Sequence, residues 1–137
     1  MEDSSYKKPL PVADEASRPF FEGIKRHEVV LMRCSNCKRW RLPAAQRCPK
    51  CWSVDYTWET ASGRGTVYTF AIMHHVLHPG FADEAPYNVT VVQLDEGPRY
   101  QTNLVGIAND EITVAMPVVA TYEDINDEVS LLKFRPA

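Results

Sequence analysis

Every cysteine of this chain lies within one short stretch: Cys34 and Cys37, then, after ten intervening residues, Cys48 and Cys51. Each Cys-x-x-Cys turn presents two thiolates from one side, so two of them supply the tetrahedral four-sulfur shell of a closed structural zinc site. The spacing spells a zinc ribbon, with rubredoxin-type iron and a pair of disulfides as the competing readings. Disulfides call for an oxidising compartment, and Met1 to Val12 is polar and carries Pro9 and Pro11, unlike a secretory leader. A shell completed by protein sulfur has no open position at which water or substrate could be polarised, so the metal is expected to be structural. It also leaves no thiol to serve as a nucleophile. Lys38 follows Cys37 and Trp52 follows Cys51, at positions where such knuckles favour glycine because positive φ is needed beside the sulfurs.

The formal charge of −3 conceals a division of the chain. Residues 24–50 hold eight Lys and Arg against Glu28, a balance of +7, whereas Cys51 to Ala137 hold four against twelve acids, a balance of −8. Any anion-binding surface is therefore expected on the ribbon side, where Lys38, Arg39, Arg41, Arg47 and Lys50 cluster. A solvated polar face is the simpler reading, since a ribbon has little core to hide residues in. No apolar run approaches the ~18 residues that read as a membrane span. The expectation is a cytoplasmic protein that does not enter a membrane.

Residues 1–16 bear two prolines, four acids and no periodic apolar pattern, and read as a flexible tail. A short helix follows, with Ser17 as its cap and Pro19 in its first turn; Phe20, Phe21, Ile24 and His27 share one side at helical spacing. That stripe packs either on the rest of the chain or on a partner, because so short a helix needs tertiary contacts. Val29 to Arg33 is a strand leading into the first knuckle, and Trp52, Tyr56 and Trp58 are expected to cover the metal lobe. From Ser62 the period changes to two, giving five strands: Thr66–Val76, Tyr87–Leu94, Arg99–Val105, Glu111–Thr121 and Val129–Phe134. Five short strands with a long first one suit a small closed barrel of the OB-fold type. The fold class is thus mainly β, divided as tail 1–16, helix and lead-in strand 17–32, zinc ribbon 33–58 and OB-fold 59–137.

Several motifs stand in a recognisable order: Phe20-Phe21, the four cysteines, Ser62-Gly-Arg-Gly65, Pro86-Tyr87, Leu94-Asp-Glu-Gly97 and Phe134-Arg-Pro136. In this the chain resembles domain-of-unknown-function family 35, whose members join a helical segment and a rubredoxin-like zinc ribbon to an OB-fold. Ala115-Met116 departs from the family, which often places glycine before the methionine. The resemblance implies an accessory subunit that performs no bond chemistry and docks on a thiolase-superfamily enzyme engaged in acyl-CoA condensation, acyl transfer or retro-aldol cleavage. It also implies acyl-CoA at or near the interface, one zinc per chain, and Cys34, Cys37, Cys48 and Cys51 as its ligands. The basic cluster would then meet CoA phosphates, and Phe20, Phe21 and Phe81 would be partner contacts.

Two other function classes compete. Zinc ribbons and OB-folds also bind single-stranded nucleic acid, but the acidic barrel segment argues against a phosphate-binding groove, and nucleic acid is the less favoured partner. An enzyme would have to use His74, His75 and His78 near Asp83 and Glu84, and adjacent strand residues point to opposite faces. Neither a Gly-x-Ser-x-Gly elbow nor a phosphate loop is present.

Overall fold

The computed structural model describes residues 8–43 and 45–137. Helix α1 spans Arg18–Lys25, with Ser17 at its N-cap and Pro19 in the first turn. The Ser17 carbonyl accepts the N–H groups of Phe20 and Phe21 at 3.0 and 3.2 Å. Its hydroxyl is turned away and donates to Asp14 Oδ1 at 2.7 Å, so Asp14 rather than the helix satisfies it. Gly23 lets the helix lie close to the strand after it, since a Cβ there would fall 2.6 Å from Val30 Cγ2.

Strands β1 (Val30–Cys34), β2 (Trp40–Arg41) and β3 (Tyr56–Thr60) form a small antiparallel sheet in the order β2-β1-β3. Cys34 closes β1, and β3 begins five residues after Cys51, so the ribbon is a hairpin framework with both knuckles at one end.

Strands β4 (Arg64–Met73), β5 (Tyr87–Leu94), β6 (Arg99–Thr102), β7 (Pro117–Asp124) and β8 (Ser130–Pro136) form a second sheet in the order β6-β5-β4-β7-β8. The long first strand serves two neighbours, as expected: β4 pairs with β5 along its length and with β7 at Arg64 to Thr66. The sheet curls until its ends meet. Leu104, just past β6, bridges Phe134 of β8 in parallel, with the Val105 N–H donating to the Phe134 carbonyl at 2.9 Å. This is the closure of an OB barrel.

Four expected strands have different bounds, the last running Ser130–Pro136 rather than Val129–Phe134. The fourth starts at Pro117 rather than Glu111, because Asn109–Glu111 is a 3-10 turn and Ala115, at φ 74°, turns the chain before the ladder begins. The third stops at Thr102, since beyond it the Asn88 side chain of β5 takes the Leu104 N–H and carbonyl in place of ladder bonds, and Leu104 bridges β8. The first ends at Met73, short of Val76.

The core is common to both parts. Phe20 and Ile24 from α1, and Val29 and Leu31 from the ribbon side, pack with Val67, Val92, Leu104, Leu132 and Phe134 of the barrel. Of the tail expected over 1–16, residues 1–7 lie outside the described residues. From Lys8, which pairs with Glu84 at 2.8 Å, the chain runs past Phe21 and the start of β8, where Leu10, Pro11 and Val12 line a hollow of about 340 Å³.

Candidate metal centre

The two knuckles are built alike. At the first, the Lys38 N–H donates to the Cys34 carbonyl at 3.0 Å and the Cys34 N–H to the Arg39 carbonyl at 2.9 Å. At the second, the Trp52 N–H donates to the Cys48 carbonyl at 2.9 Å and the Cys48 N–H to the Ser53 carbonyl at 3.0 Å. Closing such a loop turns the residue after the second cysteine into left-handed backbone, and Lys38 and Trp52 both stand at φ 67°. The expected glycine-like positions are therefore real, and here they carry side chains.

The four sulfurs converge within 4.8 Å of one another, with Cys34 and Cys48 buried and Cys37 and Cys51 half-buried. Sγ of Cys34 lies 3.5 Å from that of Cys51, and Sγ of Cys37 lies 3.5 Å from that of Cys48. A tetrahedron with zinc–sulfur bonds of about 2.3 Å has edges of about 3.8 Å, so this donor set fits a single ion. Its electrostatics fit as well. The Cys37 N–H, directed at Cys34 Sγ, draws the Cys34 thiol below its ordinary pKa, and the Cys51 N–H does the same for Cys48. A side-chain hydrogen bond from Asn36 leads the lowering at Cys51. At Cys37 the Arg39 N–H pulls downward, but burial and the three neighbouring sulfurs prevail and push it up to about 11. Three thiols disposed to ionise and a fourth held back by its neighbours make a cluster that a dication completes. When bound, that ion ties the end of β1 to the approach to β3; with four sulfur ligands it supplies structure and no Lewis-acid site.

The other expected site residues disperse. Lys38, Arg39, Arg47 and Lys50 are exposed, but Arg41 is buried: its Nε donates to the Ala45 carbonyl at 2.9 Å and its guanidinium lies 5.2 Å from the Tyr56 ring centre. Phe20, expected at a partner contact, is 5% exposed and packs edge-on against Phe21 at 5.3 Å, because its side of α1 faces the barrel. Phe21 is half-buried beside Leu10 and Val129, and Phe81 is half-buried against Tyr87 at 5.2 Å under the Lys8 ammonium. His74, His75 and His78 are all exposed, and His78 Nδ1 accepts the Gly80 N–H at 2.9 Å, which caps a turn and builds no catalytic cluster.

Two features escaped the sequence reading. Trp52 is not a cover for the metal lobe but stands 72% exposed. His27, at φ 64°, stacks on Tyr122 at 4.8 Å and meets Asp124 through Nε2 at 3.0 Å, fastening the end of α1 to the β7–β8 hairpin. Only the left-handed position of residue 52 was signalled in the sequence.

Comparison with known proteins finds a match to each part of the chain. Residues 21–56 match the rubredoxin-like zinc ribbon domain of ChsH2, and residues 58–123 match its C-terminal OB-fold domain. A probable enoyl-CoA hydratase alpha subunit of Thermomonospora curvata is 42% identical over 130 residues, which are 95% of this chain and 40% of that protein. The chain thus spans less than half the length of that relative. A DUF35 domain-containing scaffold protein of Methanocaldococcus jannaschii is 30% identical over 105 residues, 76% of this chain and 74% of its own length. Among solved structures, a chain of the Ltp2-ChsH2(DUF35) aldolase superposes with a TM-score of 0.81 at 42% identity, covering 92% of this chain and 98% of that one.

Proposed function

The chain belongs to the DUF35 family, and from that membership we propose that it is a non-catalytic accessory subunit that docks on a thiolase-superfamily enzyme and supports its chemistry on an acyl-CoA thioester. The observation that carries the reading is the near-complete superposition on the ChsH2(DUF35) chain of an aldolase complex. The chain's own chemistry supports it. The four sulfurs surround one point and leave an ion no open coordination position, and His74, His75 and His78 stand exposed beyond β4. Ser130 Oγ and His27 Nε2 both meet Asp124, and since the carboxylate stands between them the imidazole is not placed as a base for the hydroxyl. Lys38, Arg39, Arg47 and Lys50 remain available for CoA phosphates near the interface, and Arg41, held under the Ala45 loop, does not.

The experiment is recovery of the zinc-loaded chain from its host. A thiolase-superfamily subunit should come with it, and acyl-CoA binding by the pair should weaken with rising salt and on reversal of the four exposed charges. Recovery of RNA or DNA in place of such an enzyme would contradict the reading.

A further inference from the structure

Three apolar side chains stand in water where the second knuckle runs into β3: Trp52, 72% exposed, Val54, 52%, and Tyr56, 39%. Val54 and Tyr56 line a hollow of about 310 Å³ with Ala16, Met32, Ala45 and Gln46. Trp52 bears two costs at once, since its indole is left hydrated and its backbone occupies a conformation suited to glycine. Among the described residues no ring pairs with that indole. The fold alone would be served better by glycine at this position, so the side chain serves something outside the chain.

The surroundings say what that is. From 29 to 60 the chain carries Arg33, Lys38, Arg39, Arg41, Arg47 and Lys50 against Asp55 and Glu59. Arg41 is 5% exposed, and its Nη1 and Nη2 have no hydrogen-bond partner among the described residues, although it touches Ala45 and Tyr56 of the hollow. A buried guanidinium without a carboxylate leaves a positive potential there that solvent screens poorly.

We propose that Trp52, Val54 and Tyr56 form a docking surface for a protein partner that presents an apolar side chain flanked by carboxylates. The side chain enters the hollow, Trp52 covers it, and the carboxylates answer the basic lobe; aromatic anchors beside complementary charge are the usual makings of a hot spot. A nucleic acid fits less well. Single-strand binders stack successive bases on several open rings, whereas the Trp40 ring is held by Arg33 at 4.9 Å and that of Tyr56 by Arg41, leaving Trp52 alone.

The surface rests on the accessory role proposed above, and its test separates the two. The zinc-loaded chain is titrated calorimetrically into Ltp2, the companion of the related ChsH2(DUF35) chain, and compared with Trp52→Gly. Glycine suits the knuckle, so the variant should keep its zinc and melt no lower than the parent, yet bind Ltp2 about tenfold more weakly or worse. Binding by the parent should also weaken as salt is raised. If the parent binds while Trp52→Gly and Tyr56→Ala leave the affinity unchanged and Phe81→Ala reduces it, the docking surface is refuted and the accessory role stands. If the parent does not bind at all, both are contradicted. Self-association that Trp52→Gly abolishes, or tighter binding of a labelled single-stranded oligonucleotide than of Ltp2, assigns a different occupant and overturns the proposal.

Discussion

Among the described residues, four other than glycine sit in left-handed backbone: His27, Lys38, Trp52 and Ala115. The sequence marked Lys38 and Trp52 through the knuckles, and Ala115 only as the place where the resembled family often has glycine. Ala115 offers the cleanest measure of what this costs, since it is exposed. Ala115→Gly should stabilise the protein by up to about 1 kcal/mol, the left-handed penalty less the added freedom of glycine when unfolded. Ala115→Val should destabilise it, β-branching being poorly tolerated there. Urea denaturation of the two variants reads both signs. What the residues did not reveal is which cation of the basic cluster is buried. Five Lys and Arg look alike in a row, and Arg41 differs only because β2 is paired to β1 with its alternate side chain turned inward.

At the scale of elements, the five barrel strands and the doubly shared first strand were legible, and the departures lie where one residue resets a pattern. In β4 the alternation is interrupted by a bulge at Tyr68: Val67 is buried, whereas beyond it Phe70 and Ile72, of the opposite parity, are half-buried and Thr69 and Ala71 exposed. Period-two reading cannot see an inserted residue. Just before the bulge, Gly65 holds β4 against β5, since a Cβ would come within 2.5 Å of the Gln93 carbonyl oxygen and 2.8 Å of Val92 Cγ1. Gly65→Ala should therefore cost about 1–3 kcal/mol in the same assay. The link between α1 and the β7–β8 hairpin gives a second test. Hydrogen bonds from the Ser130 hydroxyl and then from His27, with the charge of nearby Lys25, lower the Asp124 carboxyl pKa below its ordinary value. A depressed folded pKa stabilises above the unfolded value near ~3.9 and is lost as pH falls through the folded one. Asp124→Asn should then destabilise at neutral pH, with the gap from the parent closing below about pH 4.

The whole molecule is less divisible than its sequence suggests. The change of pattern at Ser62 separates ribbon from barrel, but Phe20, Ile24, Val29 and Leu31 belong to the core that Phe134 and Leu132 complete. Long-range packing of this kind leaves no local signature, and that is why Phe20 and Phe21 looked equivalent while only Phe20 is buried. The metal should consequently stabilise more than its own lobe. The chain is expected to bind one equivalent of zinc, and in zinc-finger peptides such binding supplies about 10–16 kcal/mol. Cys48→Ser or a strong chelator should lower the melting temperature of the barrel along with that of the ribbon, as followed by circular dichroism and barrel amide resonances. A barrel that melts unchanged without metal would show the two parts to be independent.

The central claim, that this chain assists another enzyme's chemistry and performs none itself, is tested most directly by adding zinc-loaded protein in increasing amounts to Ltp2 while following aldolase turnover. The account predicts no turnover by the chain alone, and an Ltp2 rate that rises and saturates as the chain is added. Turnover by the isolated chain, or an Ltp2 rate indifferent to its presence, would contradict it.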